Sequence, residues 1–190
     1  MKKEYNMSGF SFKLYNNIKR HKKIYFFLCA IIALVAIDQI IKIFVQQNLQ
    51  VYDSLELIPY LFRVTYLQNY GAAFNFMSGH KIFLIIFTLT VIAFLIGFVV
   101  KNKFQDIIYL ISITMIISGG FGNLLDRLIR GYVIDYIDTI FWPMQNFSIF
   151  NFADCLVVIG SIILLIKLIK DEIFNKKRQK NNKENEDAKN

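Results

Sequence analysis

Cysteine and histidine are almost missing from this chain, with two of each in 190 residues. Cys29 and Cys155 fall in different apolar runs, on opposite sides of the expected bilayer, so no disulfide is expected. Neither has the spacing of a metal ligand. His21 and His80 lie far apart with no H-E-x-x-H between them, which argues against a zinc peptidase. Charge is scarce wherever apolar residues are dense, and 55% of the chain is hydrophobic. Four runs carry that excess, at about 24–45, 82–100, 107–128 and 152–169. Each approaches the roughly 20 residues that cross about 30 Å of hydrocarbon as a helix. The expected fold is an all-α membrane protein of four transmembrane helices with a small extracytoplasmic β element.

The first run does not read as a cleaved leader. It continues through Asp38-Gln39-Ile40-Ile41-Lys42 to Val45, with no A-x-A site after it. The formal charge of +8 is distributed by topology rather than for nucleic acid. Residues 1–23 hold seven Lys/Arg against one acid, residues 101–103 hold two lysines, and the tail from Lys167 holds eight basic groups. The other connections carry only Arg63, Lys81 and Arg130. Basic residues collect on the cytoplasmic side, so both termini are expected inside and segments 46–81 and 129–150 outside. The domain reading is a basic cytoplasmic lead-in over 1–23, a four-span unit over 24–170, and a polar, disordered tail over 171–190. Within the first outer segment, Leu61–Leu67 reads as a strand and Asn69-Tyr70-Gly71 as the break after it. Gly131, Trp142 and Pro143 mark the second as loop.

The polar residues inside the runs share a depth. Entering from inside near Ile24, Asp38 lies about 21 Å along the first helix; entering near Ile107, Asn123 lies about 24 Å and Arg127 about 30 Å along the third. The fourth run starts outside, so Asn151 and Asp154 occupy its outer first turn. Gly120, Asn123 and Arg127 fall on one helical face, as do Asn151 and Asp154. Intramembrane ionisable groups are functional candidates by default. Each also has a plainer reading. Asp38 and Lys42 at i, i+4 neutralise each other. Asp154 serves as a helix-start acid behind an Asn151 cap. Asp126 and Arg127 form a local charge pair, Asp135 and Asp138 are solvated loop acids, and Asn69 with Gly71 is a turn. Two carboxylates able to share one proton, Asp135 and Asp154, are the requirement of an aspartic peptidase.

Five blocks in order carry a resemblance: Asp38-Gln39-x-x-Lys42; Asn69-Tyr70-Gly71-Ala72-Ala73-Phe74; Gly119-Gly120-x-Gly122-Asn123-x-x-Asp126-Arg127; Val133-Ile134-Asp135; and Phe150-Asn151-x-Ala153-Asp154. Together, over about 24–170, they resemble the lipoprotein signal peptidases (signal peptidase II). The resemblance implies an aspartic endopeptidase of the bacterial cytoplasmic membrane. Its substrates would be prolipoproteins carrying diacylglycerol on a cysteine, cut on the amino side of that residue. Asp135 and Asp154 would be the catalytic pair, with Asn69, Gly71, Asn123, Arg127 and Asn151 binding substrate and Asp38, Lys42 and Asp126 supporting them. It implies no cofactor, no metal and no nucleic-acid partner, a monomer in contact with membrane lipid, and an active site at the outer face. Gln68, where a basic residue is frequent, and Cys155, where a hydroxyl residue is common, depart from the family pattern.

Other classes fit less well. The G-x-G-D intramembrane peptidases need an acid where Asn123 stands, and a rhomboid-type serine enzyme needs G-x-S-x-G. An ion path would string polar residues through the whole bilayer depth, whereas the inner halves of these runs are almost wholly apolar.

Overall fold

The computed structural model describes residues 9–72, 76–102, 106–141, 143–144 and 147–187, with side chains described from residue 24 to residue 182 of these except at Asn102. Ala73, Phe74 and Trp142 lie outside the described residues. In chain order the elements are α1 (Gly9–Asn48), β1 (Ser54–Ile58), β2 (Phe62–Asn69), α2 (Lys81–Asn102), α3 (Ile107–Ile129), β3 (Val133–Thr139) and α4 (Phe152–Asp187). Each helix contains a stretch long and apolar enough to cross a membrane: Ile24–Asn48, Lys81–Lys101, Ile107–Ile129 and Phe152–Asn182.

Helix α3 is the central member, packing against α1, α2 and α4. Between apolar helices in lipid the hydrophobic effect gives little association, so close van der Waals approach has to supply it. Glycine permits that approach on both sides of the α3–α4 seam. A Cβ on Gly119 would meet the Ala153 carbonyl and lie 2.8 Å from Val157. One on Gly160 would lie 2.8 Å from the Ser112 carbonyl and 3.0 Å from Ile116. At the far end of the seam Lys167 of α4 pairs with Asp106, which caps α3, at 2.7 Å and with Asp171 at 2.8 Å.

The connections between α1 and α2 and between α3 and α4 form one antiparallel sheet in the order β1-β2-β3. The expected strand at Leu61–Leu67 corresponds to β2. Strand β3 falls in the second connection, where the sequence points to loop, because Asp135 and Asp138 interrupt its apolar pattern. Those acids are not solvated: Asp135 is 2% and Asp138 4% exposed. Asp138 is neutralised by Arg63 across the β2–β3 pair and accepts from Thr65 at 2.8 Å. At the end of α3, Gly131 with φ +88° takes the left-handed position that turns the chain into β3. Phe150 then bridges to Ile137 of β3, drawing the start of α4 beside that strand.

The tail corrects the expectation of disorder, since α4 runs unbroken to Asp187. Lys, Arg, Glu and Gln are good helix formers, and extending an existing helix avoids the nucleation penalty. Glu172 and Lys176, 2.7 Å apart at i, i+4, add to it. Likewise the lead-in is helical from Gly9 onward. The glycine seam predicts that Gly160→Val destabilises the fold by about 1–3 kcal/mol through overpacking. Thermal unfolding in detergent should show a midpoint lower by several degrees, and an unchanged midpoint would refute the close-packing account.

Candidate active site

One buried cation organises the polar layer. Lys42 of α1 is 0% exposed, and its ammonium has three N–H donors. It reaches Asp38 at 2.9 Å, Asp126 at 2.8 Å and the Asn123 side-chain oxygen at 3.0 Å. Asp38 also accepts from the backbone N–H of Ala153 at 3.2 Å, and Asp126 from that of Ile134 at 3.3 Å. Those two residues immediately precede Asp154 and Asp135. Arg130 pairs with Asp126, and Gln39 bridges Asp38, Asp126 and the Gly122 carbonyl at 3.1–3.2 Å. Two acids and two bases make this buried group neutral. Asp38 needs a glycine opposite it, because a Cβ on Gly122 would lie 2.5 Å from its carboxylate.

The pair Asp135 and Asp154 is framed by asparagines. Asn69, at the end of β2, donates to Asp135 at 2.8 Å, and Asn151 donates to the other oxygen at 2.7 Å. Asp154 accepts from the Asn123 side chain at 2.8 Å and from the Asn151 backbone N–H at 3.0 Å. Asp154 N–H returns to the Asn151 side-chain oxygen at 2.9 Å, closing a capping box. The cap reading of Asp154 is therefore right, and the same residue also faces Asp135. Burial lifts the Asp135 carboxyl to about 7, the Asp154 charge adds to that, and the donors Asn69 and Asn151 oppose it.

A cavity of about 570 Å³ opens from these carboxylates between α2, α3 and α4. Its polar end carries Asn69, Asn123, Arg127, Asp135 and Asp154. Its apolar walls include Phe87, Ile92, Ile116, Val157 and Phe150, with Gly120 on the α3 side. Arg127 donates to the Gly71 carbonyl at 2.7 Å and to the Asn123 carbonyl at 3.4 Å, and the described residues hold no ion pair for it. The structure thus brings together Asp135, Asp154, Asn69, Asn123, Arg127 and Asn151, joins Gly71 through Arg127, and sets Asp38, Lys42 and Asp126 behind them.

The local Asp126–Arg127 pair does not form: Asp126 faces α1 while Arg127 faces the cavity. The plain Asp38–Lys42 pair is the first contact of a larger network. Sequence reasoning missed three contributors. Arg130 reads in the sequence only as a loop charge, although it stands four residues after Asp126. Gln39 carries no role in the sequence pattern. The Tyr136 hydroxyl, which accepts from Phe152 N–H at 3.2 Å, stands one residue after Asp135 and gave no separate signal.

Comparison with known proteins agrees with this arrangement. The family model described as signal peptidase (SPase) II matches residues 6–170. The lipoprotein signal peptidase of Streptococcus thermophilus is 39% identical over 143 residues, covering 75% of this chain and 92% of its own. That of Staphylococcus aureus is 33% identical over 161 residues, covering 84% and 98%. A solved structure described as a bacterial membrane enzyme superposes with a TM-score of 0.72 at 32% identity, over 78% of this chain and 95% of the other. With the four helices, the sheet and the carboxylate pair already in place, these matches establish that the chain belongs to the signal peptidase II family of membrane aspartic peptidases.

Proposed function

We propose that this enzyme removes the signal peptide from prolipoproteins whose cysteine carries diacylglycerol, cutting before that cysteine with Asp135 and Asp154 as the catalytic pair. The single observation that carries this reading is that buried Asp135 and partly buried Asp154, linked through Asn151, meet at the polar end of an otherwise apolar cavity. Two such groups do not both ionise readily, so one proton is shared between them. The ionised member takes a proton from water, the water oxygen attacks the scissile carbonyl carbon, and the protonated member gives its proton to the carbonyl oxygen. As the tetrahedral intermediate collapses, the C–N bond breaks, the leaving nitrogen takes a proton from one acid, and a diol hydroxyl returns its proton to the other carboxylate as the carbonyl re-forms, which restores the pair's single shared proton.

Asparagine suits the frame because it donates N–H bonds at every relevant pH without competing for protons. Arg127, with guanidinium N–H groups beyond those on Gly71 and Asn123, is proposed to hold an extended substrate backbone. The apolar walls between α2, α3 and α4 suit the hydrophobic signal segment, and the acyl chains remain in lipid beside the bundle. The distribution of basic residues supports cytoplasmic termini and an outward-facing site. Nothing in the reading requires a second copy of the chain, and a monomer is proposed.

Asp135→Asn and Asp154→Asn should each accumulate in the membrane and lower cleavage of a lipid-modified prolipoprotein by at least about 10²-fold. Near-normal processing by either variant would sink the assignment. The unmodified precursor should resist the wild-type enzyme, and cleavage should persist in strong chelator; loss of activity reversed by zinc would contradict an all-carboxylate mechanism. A further outcome follows from the raised Asp135 carboxyl. The folded state holds this proton more tightly than the unfolded chain, so its contribution to stability is full below about 4 and is lost as pH rises through about 7. The thermal midpoint of Asp135→Asn, relative to wild type, should therefore rise across that window; parallel pH dependences would show that Asp135 is not held protonated.

A further inference from the structure

From the contacts that radiate from Lys42, we infer that this lysine is a positioning residue that sets the relation between the two catalytic carboxylates. The inference rests on the proposed Asp135–Asp154 pair and extends it to α1, an element that contributes no residue to the reacting atoms.

Three paths leave the one ammonium. The first runs through Asp38 to the N–H of Ala153, so it grips the first turn of α4 one residue before Asp154. The second runs through Asp126 to the N–H of Ile134, gripping β3 one residue before Asp135. The two grips act on separate elements and meet at Lys42, with Gln39 donating to the same two acids at 3.1 Å beside it. The third runs through Asn123. The oxygen of that amide accepts from Lys42 at 3.0 Å and from Asn151 at 3.2 Å, which directs its NH₂ toward Asp154 at 2.8 Å. Without the ammonium the amide loses the strongest reason for that orientation. A turned amide would present a carbonyl to Asp154, an arrangement suited only to the protonated acid.

The geometry also separates this role from simple charge neutralisation. Asp126 already has Arg130, and among the described residues Asp38 has only Lys42 and Gln39 as side-chain partners. A lysine needed only to offset Asp38 would not have to reach Asn123 on α3. Three acceptors around three N–H groups fix the ammonium tetrahedrally, and a backbone displacement near 1 Å at a catalytic group lowers rate by up to about 10²-fold. The charged and titratable groups in contact with or near the pair are Asp38 and Lys42 from α1, Asp126, Arg127 and Arg130 from α3, Tyr136 from β3, and Asp154 itself from α4. Removing the Lys42 charge from this set should favour the shared proton.

The test uses the full-length enzyme in detergent and the double variant Lys42→Met/Asp38→Asn, which removes one charge of each sign and leaves a carbonyl to accept from Ala153. Steady-state cleavage of a diacylglyceryl-modified prolipoprotein is measured against pH, alongside thermal unfolding. The expected result is a folded protein with KM within about twofold, kcat lowered about 10- to 100-fold, and the acidic limb of the profile moved to higher pH. A folded variant with wild-type kcat and an unmoved limb would overturn the inference. Should the double variant fail to accumulate, Lys42→Arg serves instead, since it keeps the charge but spreads its donors in a plane. The same split of lowered kcat and unchanged KM supports the role, and wild-type kcat overturns it. Failure of both variants to reach the membrane would overturn it too, because the network would then serve folding rather than the reaction. The control is Asp135→Asn: if that variant still cleaves, the underlying pair is wrong, whatever Lys42 does.

Discussion

A lysine ammonium held entirely out of water between two carboxylates is the contact on which the rest of this structure depends. An unpaired ammonium at such depth would be prohibitive, and removing one partner of a buried pair typically destabilises by about 3–5 kcal/mol. Here the charges of Asp38, Lys42, Asp126 and Arg130 cancel. The spare lone pairs of the acids are occupied by backbone N–H groups from α4 and β3. Neutralisation and geometry are therefore one arrangement. The helices need the network in order to bury their polar residues, and the network, once formed, draws β3 and α4 toward a common point.

Local chemistry then places the site at that point. The Asn151–Asp154 capping box begins α4 with a carboxylate facing the cavity, and the Gly131 turn sends the chain back as β3 with Asp135 pointing to the same place. Asn69 arrives from β2 because the β2–β3 register sets Asn69 against Val133 and Leu67 against Asp135. Glycines at 119, 122 and 160 let backbones and carboxylates approach where a side chain would intervene. The cavity follows from the same geometry: its polar end is the carboxylate pair, and its walls are the apolar faces of α2, α3 and α4.

Much of this was legible in the sequence. Apolar run length located four helices, and the shared depth of Asp38, Asn123, Arg127, Asn151 and Asp154 anticipated one polar layer. That succeeded because rise per residue is fixed in a helix and the bilayer supplies a common origin. Partner choice within the layer was not legible. Asp126 and Arg127 are adjacent in sequence yet face different neighbours, since successive side chains on a helix point about 100° apart. Strand β3 was hidden because its acids look solvated until Arg63 and Thr65 are seen across the sheet. The helix of the tail is not legible in composition, which does not register that a helix already formed needs no new nucleus.

The central claim is that Asp135 faces the Asp154 carboxylate closely enough for the two to act as one site. Following the protonated-carboxyl vibration of isotopically labelled aspartate against pH, in the wild type and in Asp154→Asn, tests it most directly. The account predicts a wild-type midpoint for Asp135 near about 7, falling when the neighbouring charge is removed. An Asp135 band with the same midpoint in both proteins would contradict it.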